Sequence, residues 1–248
     1  MTVWEALAIT GAGFVAGGIN TVVGSGSLIT FPVLVALGYP SVTANVSNTI
    51  GLVPGSVSGA IGYRRELRGQ GRRCAILAIG TVIGALIGGI LLLSLPSAVF
   101  DAVVPVLILL AVGLMALRPA PKVEGTVRRD RVALGLAGTF LTGIYGGYFG
   151  AAQGIILLAL LRLCFDDDLQ RLNGIKNVLA GMANGVAAVY FIGFADPAWG
   201  AAGLIAGGSI AGAQVGARYG RRLPQELLRR VVIVGGTLVA VVLFIRAV

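Results

Sequence analysis

Apolar residues along this chain come in long runs rather than in strict alternation with polar ones. Ten hydrophobic segments are legible, at about residues 3–23, 27–37, 42–62, 74–94, 97–117, 131–149, 153–165, 171–193, 198–217 and 225–247. Eight reach the roughly 20 residues that carry an α-helix across a hydrocarbon core about 30 Å thick. The second and seventh hold about a dozen residues, roughly 18 Å of helix at a rise of 1.5 Å per residue, and fall short of a crossing. Lipid offers the backbone no hydrogen-bond partners, so such segments satisfy themselves as helices. The pattern predicts an all-α integral membrane protein with eight full spans and two short half-helices.

Composition agrees with the pattern. Charged residues make up 12% and mean hydropathy is +0.93, whereas a soluble domain averages about 25% charged. The 39 glycines would weaken soluble helices but let membrane helices approach closely. Residues Met1 to Glu5 lack the positive stretch of a signal peptide, so the first helix is read as retained. Cys74 and Cys164 have no histidine to join in a zinc site, and they read as small apolar residues near helix ends.

The net charge of +9 comes mostly from arginines in three inter-helix loops, which separates it from a basic nucleic-acid stripe. Arg64, Arg65, Arg68, Arg72 and Arg73 follow the third segment, and Arg118, Lys122, Arg128, Arg129 and Arg131 follow the fifth. Arg218, Arg221, Arg222, Arg229 and Arg230 follow the ninth, while the connections at 38–41, 94–97 and 193–197 carry no Lys or Arg. Positive residues stay on the cytoplasmic side, so ten segments place both termini outside.

An internal repeat is written into the glycines. Gly80, Gly84 and Gly88 return as Gly208, Gly212 and Gly216, 128 residues later. Leu95-Pro96 and Asn45 return at the same offset as Leu223-Pro224 and Asn173. Five segments per copy is an odd number, so the second copy enters the bilayer from the opposite side, an inverted-topology arrangement common among transporters. The expected division is a first repeat at 1–117, a cytoplasmic linker at 118–130 and a second repeat at 131–248. The glycine rows read as packing seams.

Polar residues inside a membrane are costly and therefore informative. They gather at the break before each short segment: Asn20, Thr21, Gly24, Ser25, Gly26 and Ser27, then Tyr145, Gly146, Gly147, Tyr148, Gly150 and Gln153. They gather again at the next long helix: Asn45, Ser47, Asn48 and Thr49, then Asn173, Lys176 and Asn177. A glycine-rich break that opens a helix leaves unpaired N–H groups and a partial positive charge, which suit an anion. All ten acids lie at segment ends or in loops, where a cation path would hold a carboxylate in mid-membrane. Lys176 has three readings: it attracts the anion, snorkels to the cytoplasm, or pairs with Asp166, Asp167 or Asp168. Gly24-Ser25-Gly26-Ser27 suggests a serine nucleophile, but the chain has no histidine base, dinucleotide fingerprint or P-loop, so the reading is not an enzyme and no cofactor or metal is expected.

These residues resemble a known family. Ala16-Gly17-Gly18-Ile19-Asn20, the run from Gly24 to Pro32, Ala44-Asn45-Val46-Ser47-Asn48-Thr49, and Pro54-Gly55-Ser56 through Leu67 are similar to the first half of the TauE/SafE sulfite-exporter-like permeases. The stretch from Gly143 to Gln153 and Asn173-Gly174-Ile175-Lys176-Asn177-Val178-Leu179-Ala180-Gly181 resemble its repeated motif. The second break departs from the family's richer glycine cluster, reading Gly150-Ala151-Ala152-Gln153-Gly154. The resemblance implies a plasma-membrane permease that moves sulfite, sulfonates or related anions outward. The expected substrate donors are Asn20, Gly24, Ser25, Gly26, Ser27, Asn45, Asn48, Gly150, Gln153, Asn173, Lys176 and Asn177, with Tyr145 and Tyr148 shaping the pocket. A passive anion channel and a non-transporting membrane scaffold stay open at this point. The expected partners are a small anion and membrane lipid, without nucleic acid, and a homo-oligomer is compatible with the sequence.

Overall fold

The computed structural model describes residues 1–116 and 131–220. The expected linker at 118–130, the tenth segment and the Leu223-Pro224 repeat lie outside the described residues. The described elements are all helical: α1 (Val3–Val22), α2 (Ser27–Ala36), α3 (Ser41–Gly62), α4 (Gly71–Ser94), α5 (Ser97–Ala116), α6 (Val132–Tyr148), α7 (Gln153–Cys164), α8 (Leu169–Phe194) and α9 (Trp199–Tyr219).

Local chemistry sets the boundaries. Thr2 and Glu5 form a capping box at the start of α1, the Thr2 hydroxyl accepting from the Glu5 N–H at 3.2 Å and the Glu5 carboxylate from the Thr2 N–H at 2.8 Å. Leu95 is extended ahead of Pro96 and ends α4, since a residue before proline is steered out of the helical region. The Asp168 carboxylate caps α8 by accepting from the Gln170 and Arg171 N–H groups. The second and seventh segments are short helices of 10 and 12 residues. Among the described residues, Gly71–Ser94 and Leu169–Phe194 combine the length and the apolarity of a membrane crossing. Helices α1, α3 and α9, at 20, 22 and 21 residues, have the length but are diluted by glycine and polar side chains, and α6 stops at 17.

Packing partners come in matched sets. Helix α1 lies along α9 and α6 along α4; α3 also meets α9, α8 meets α4, and α3 crosses α8. The glycine rows make the two closest contacts. A Cβ at Gly80 would lie 2.7 Å from the Leu136 carbonyl oxygen, and one at Gly88 would lie 2.8 Å from the Tyr148 nitrogen. On the other seam a Cβ at Gly208 would lie 2.8 Å from the Phe14 nitrogen, and one at Gly216 would lie 2.7 Å from the Gly18 carbonyl oxygen. All four distances are inside van der Waals contact, so backbone meets backbone and only glycine fits.

The outer surface is a belt of apolar side chains. Trp4, Leu141, Val189 and Phe194 are each more than 60% exposed, far more apolar surface than a protein in water leaves uncovered. The arginine-bearing ends gather on one face: Gly62 of α3 packs on Ala217 of α9. On that face Arg73 pairs with Asp167 at 2.7 Å, joined by Arg171 at 3.0 Å and the Gln70 amide at 2.7 Å. Burial pushes the Asp167 carboxyl up, but hydrogen bonds from Gln70, Arg73 and the Asp168 N–H and the charge of Arg171 outweigh it and hold the group below the usual carboxylate range.

Overfilling a seam tests this packing. Gly84→Leu or Gly212→Leu is expected to lower the thermal midpoint of the purified protein by overpacking, about 1–3 kcal/mol or more. Gly203→Leu, where a Cβ meets nothing within 4 Å, is expected to leave it close to the parent. Equal midpoints for all three would refute the seams.

Candidate functional site

The bundle is interrupted twice, at 23–26 between α1 and α2 and at 149–152 between α6 and α7. Gly24 turns the first break with φ of 92°, and Gly150 turns the second with φ of 71°. Ala152 also adopts the left-handed region, with φ of 57°, which costs a non-glycine residue roughly 1–2 kcal/mol. Its neighbours hold it there: the Tyr145 hydroxyl donates to the Ala151 carbonyl, and the Gln153 N–H donates to the Gly150 carbonyl at 3.2 Å.

The two breaks touch. The Gly154 N–H, in the first turn of α7, donates to the Gly24 carbonyl at 3.0 Å. A Cβ on Gly154 would lie 2.5 Å from the Gly24 Cα, so the approach depends on glycine on both sides. The N-terminal ends of α2 and α7 thereby share one buried region, where the Leu28, Ile29, Gln153 and Ile155 N–H groups donate to the Ser25, Gly26, Gly150 and Ala152 carbonyls of the breaks.

Around the first break the predicted residues form one connected network. The Asn20 side chain accepts from the Gly26 N–H and donates to the Ser56 hydroxyl, both at 3.4 Å. The Asn48 amide donates to the Ser27 hydroxyl at 3.1 Å and accepts from the Thr30 hydroxyl. From α8, the Lys176 Nζ donates to the Asn20 and Thr21 carbonyls at 3.0 and 3.2 Å. The Asn177 and Asn173 amides donate to the Thr21 carbonyl at 3.0 and 3.3 Å, and Asn173 also donates to the Tyr63 hydroxyl at 2.8 Å. The reason is physical: stopping α1 at the break orphans its last carbonyls, which carry the negative end of the helix dipole.

Lys176 therefore follows neither the snorkelling nor the acidic-pair reading. It is fully buried, while Asp167 is taken by Arg73 and Arg171, and Asp168 by the cap of α8. Among the described residues no carboxylate pairs with it, and the ammonium stands against carbonyl oxygens alone. Ser25, at 1% exposure, has a hydroxyl with no hydrogen-bond partner, which is costly for a buried polar atom.

The remaining predicted residues are held at the second break by bonds of their own. Gln153 donates to the Thr142 carbonyl at 3.1 Å and fills the space beside Gly146. Asn45 reaches from α3 to the Tyr148 carbonyl at 2.9 Å, capping the end of α6. Tyr148 stacks among aromatic rings, with its ring centroid 5.7 Å from that of Phe100. The candidate residues missed Gly154, Ser56, Thr30 and Tyr63. They also missed the Thr21 carbonyl, a backbone group that no side-chain pattern marks.

Helices that break in mid-bundle and meet at the breaks, inside an apolar belt, are an arrangement that membrane transporters use for their substrate sites. The comparisons with known proteins agree. The family model described as "Sulfite exporter TauE/SafE" matches residues 9–243, and the chain belongs to that family. It is 28% identical over 225 residues to a "Probable membrane transporter protein" of Haemophilus influenzae, covering 90% of this chain and 88% of that one. It is 27% identical to "Probable membrane transporter protein ORF9" of a Sinorhizobium species, covering 90% and 86%. It is 28% identical to "Probable membrane transporter protein YfcA" of Escherichia coli K12, covering 88% and 82%. No solved structure gives a significant match.

The contact between the breaks is directly testable. Gly154→Ala is expected to lower the thermal midpoint clearly. Gly11→Ala, where a Cβ meets nothing within 4 Å, is expected to leave it unchanged or raise it by up to about 1 kcal/mol of helix propensity. A Gly154→Ala protein as stable as the parent would mean that the breaks do not touch.

Proposed function

We propose that this chain is a plasma-membrane secondary permease that exports small anions, sulfite, sulfonates or related oxyanions, by alternating access between two inverted repeats of five segments. The observation that carries the reading is the meeting of α2 and α7 at Gly24 and Gly154, with the unpartnered Ser25 hydroxyl buried in the first break. Two helix N-termini, a buried ammonium one helix end away and no carboxylate among the described residues at that depth favour negative charge. The inverted arrangement is supported by the matched packing sets, in which α1 with α9 corresponds to α6 with α4. The orientation is supported by the shared face of the α3–α4 connection and the end of α9, where arginines cluster.

In this arrangement most predicted side chains position the site, and few are left to bind. Asn173, Lys176 and Asn177 hold the end of α1, Asn48 fixes Ser27, and the N–H groups of Leu28, Ile29, Gln153, Gly154 and Ile155 donate to carbonyls of the two breaks, so the Ser25 hydroxyl is the group left open at the breaks. The membrane potential favours the outward direction: a monovalent anion leaving an inside-negative cell gains about 2.3 kcal/mol per 100 mV.

The test is a thermal-shift screen of the purified protein against sulfite, sulfonates, sulfate, thiosulfate and carboxylates. A ligand at a hundred times its Kd stabilises by about 2.7 kcal/mol. Ser25→Ala removes one hydrogen bond to a charged ligand, about 1.5–3 kcal/mol, so its anion affinity is expected to fall roughly ten- to a hundredfold with no loss of ligand-free stability. An unchanged affinity, or no response to any anion, would overturn the reading. Trans-stimulated, saturable flux marks the carrier; single-channel currents would mark a channel.

A further inference from the structure

A cavity of about 550 Å³ lies between α2, the α2–α3 connection and α5, lined by Phe31, Tyr39, Ser41, Asp101 and Pro105 among others. It sits at the end of α3 opposite the arginine cluster, since Gly38, Tyr39, Pro40 and Ser41 of the α2–α3 connection and Ala98 in the first turn of α5 line it. Its inner wall is aromatic. The Phe31 ring stands edge-on to Phe149 at 5.2 Å and to Phe100 at 6.3 Å, and Phe100 meets Phe149 at 5.8 Å and Tyr148 at 5.7 Å.

These four rings come from α2, the first turn of α5, and the end of α6 where it runs into the second break. Phe31, Phe100 and Phe149 are each at most 2% exposed, so the cluster is closed. Immediately behind it, Thr30 joins Asn48 and Ser27 in the polar network, and Ser27 is about one turn of α2 below Phe31. Phe149 leads directly into Gly150. The rings thus stand between the cavity and the meeting point of the breaks. Helix α5 is tied down on the cavity side by the Ser41 hydroxyl, which donates to the Asp101 carboxylate.

We propose that Phe31, Phe100, Tyr148 and Phe149 form the outer gate of the permeation path, with the cavity as its vestibule, and that release of α5 from Ser41 opens it. This rests on the transport function and orientation given above. Edge-to-face rings suit a gate because they seal against water yet separate without leaving a polar atom unpaired.

The experiment uses the full chain with Cys74→Ser and Cys164→Ala, in cells, with a membrane-impermeant thiol reagent added outside. Ala102→Cys, in the vestibule wall, is expected to label readily. Thr30→Cys is expected to label slowly, and at least about tenfold faster when Phe100→Ala or Asp101→Ala is added, because labelling follows the open fraction. Thr30→Cys labelling that stays the same in both added variants would overturn the gate. Ala102→Cys labelling only from the cytoplasmic side would overturn the orientation, leaving the gate to the Thr30 result. Access is read without any substrate, so a failed anion screen and a failed gate are separate outcomes.

Discussion

A helix that stops inside a membrane exposes carbonyls and N–H groups that lipid cannot satisfy, and the rest of this structure follows from that requirement. Breaking α1 at Gly24 strands the Asn20 and Thr21 carbonyls. Lys176, Asn173 and Asn177 of α8 reach across to satisfy them. Breaking α6 at Gly150 strands the Tyr148 carbonyl, and Asn45 of α3 answers it. Each half of the chain thus supplies the caps for the other half's opening helix. The N-terminal ends that remain, at α2 and α7, are brought together by Gly154 and Gly24.

The glycine seams serve the same end. They join α1 to α9 and α4 to α6, which are pairs drawn from opposite halves. Close backbone approach there fixes α1 and α6, the helices that lead into the two breaks, against α9 and α4. The price of the arrangement is a buried Lys176 with no carboxylate partner among the described residues, held by the Asn20 and Thr21 carbonyls at the end of α1.

Much of this is legible in the amino-acid sequence. The short second and seventh helices, the glycine-led breaks and the close-packed glycine rows follow from run lengths and residue spacing. The TauE/SafE resemblance is carried by the same residues and agrees with the family match over 9–243. The partners of the polar side chains were not legible, for a physical reason. Asn45, Asn173, Lys176 and Asn177 bond to backbone carbonyls, which every residue carries, so residue type alone cannot distinguish a cap from a substrate donor. Nor does spacing reveal that Gln153 turns back to Thr142, which leaves Ser25, an unremarkable member of the Gly24–Ser27 run, as the open hydroxyl.

On the proposed mechanism one anion sits where the two breaks meet. Crystals grown with selenite in place of sulfite would locate it by the anomalous scattering of selenium. One strong peak is expected within hydrogen-bond distance of the Ser25 Oγ, between the first turns of α2 and α7. Peaks confined to the loop arginines, or to the cavity beside Tyr39 and Ser41, would contradict it.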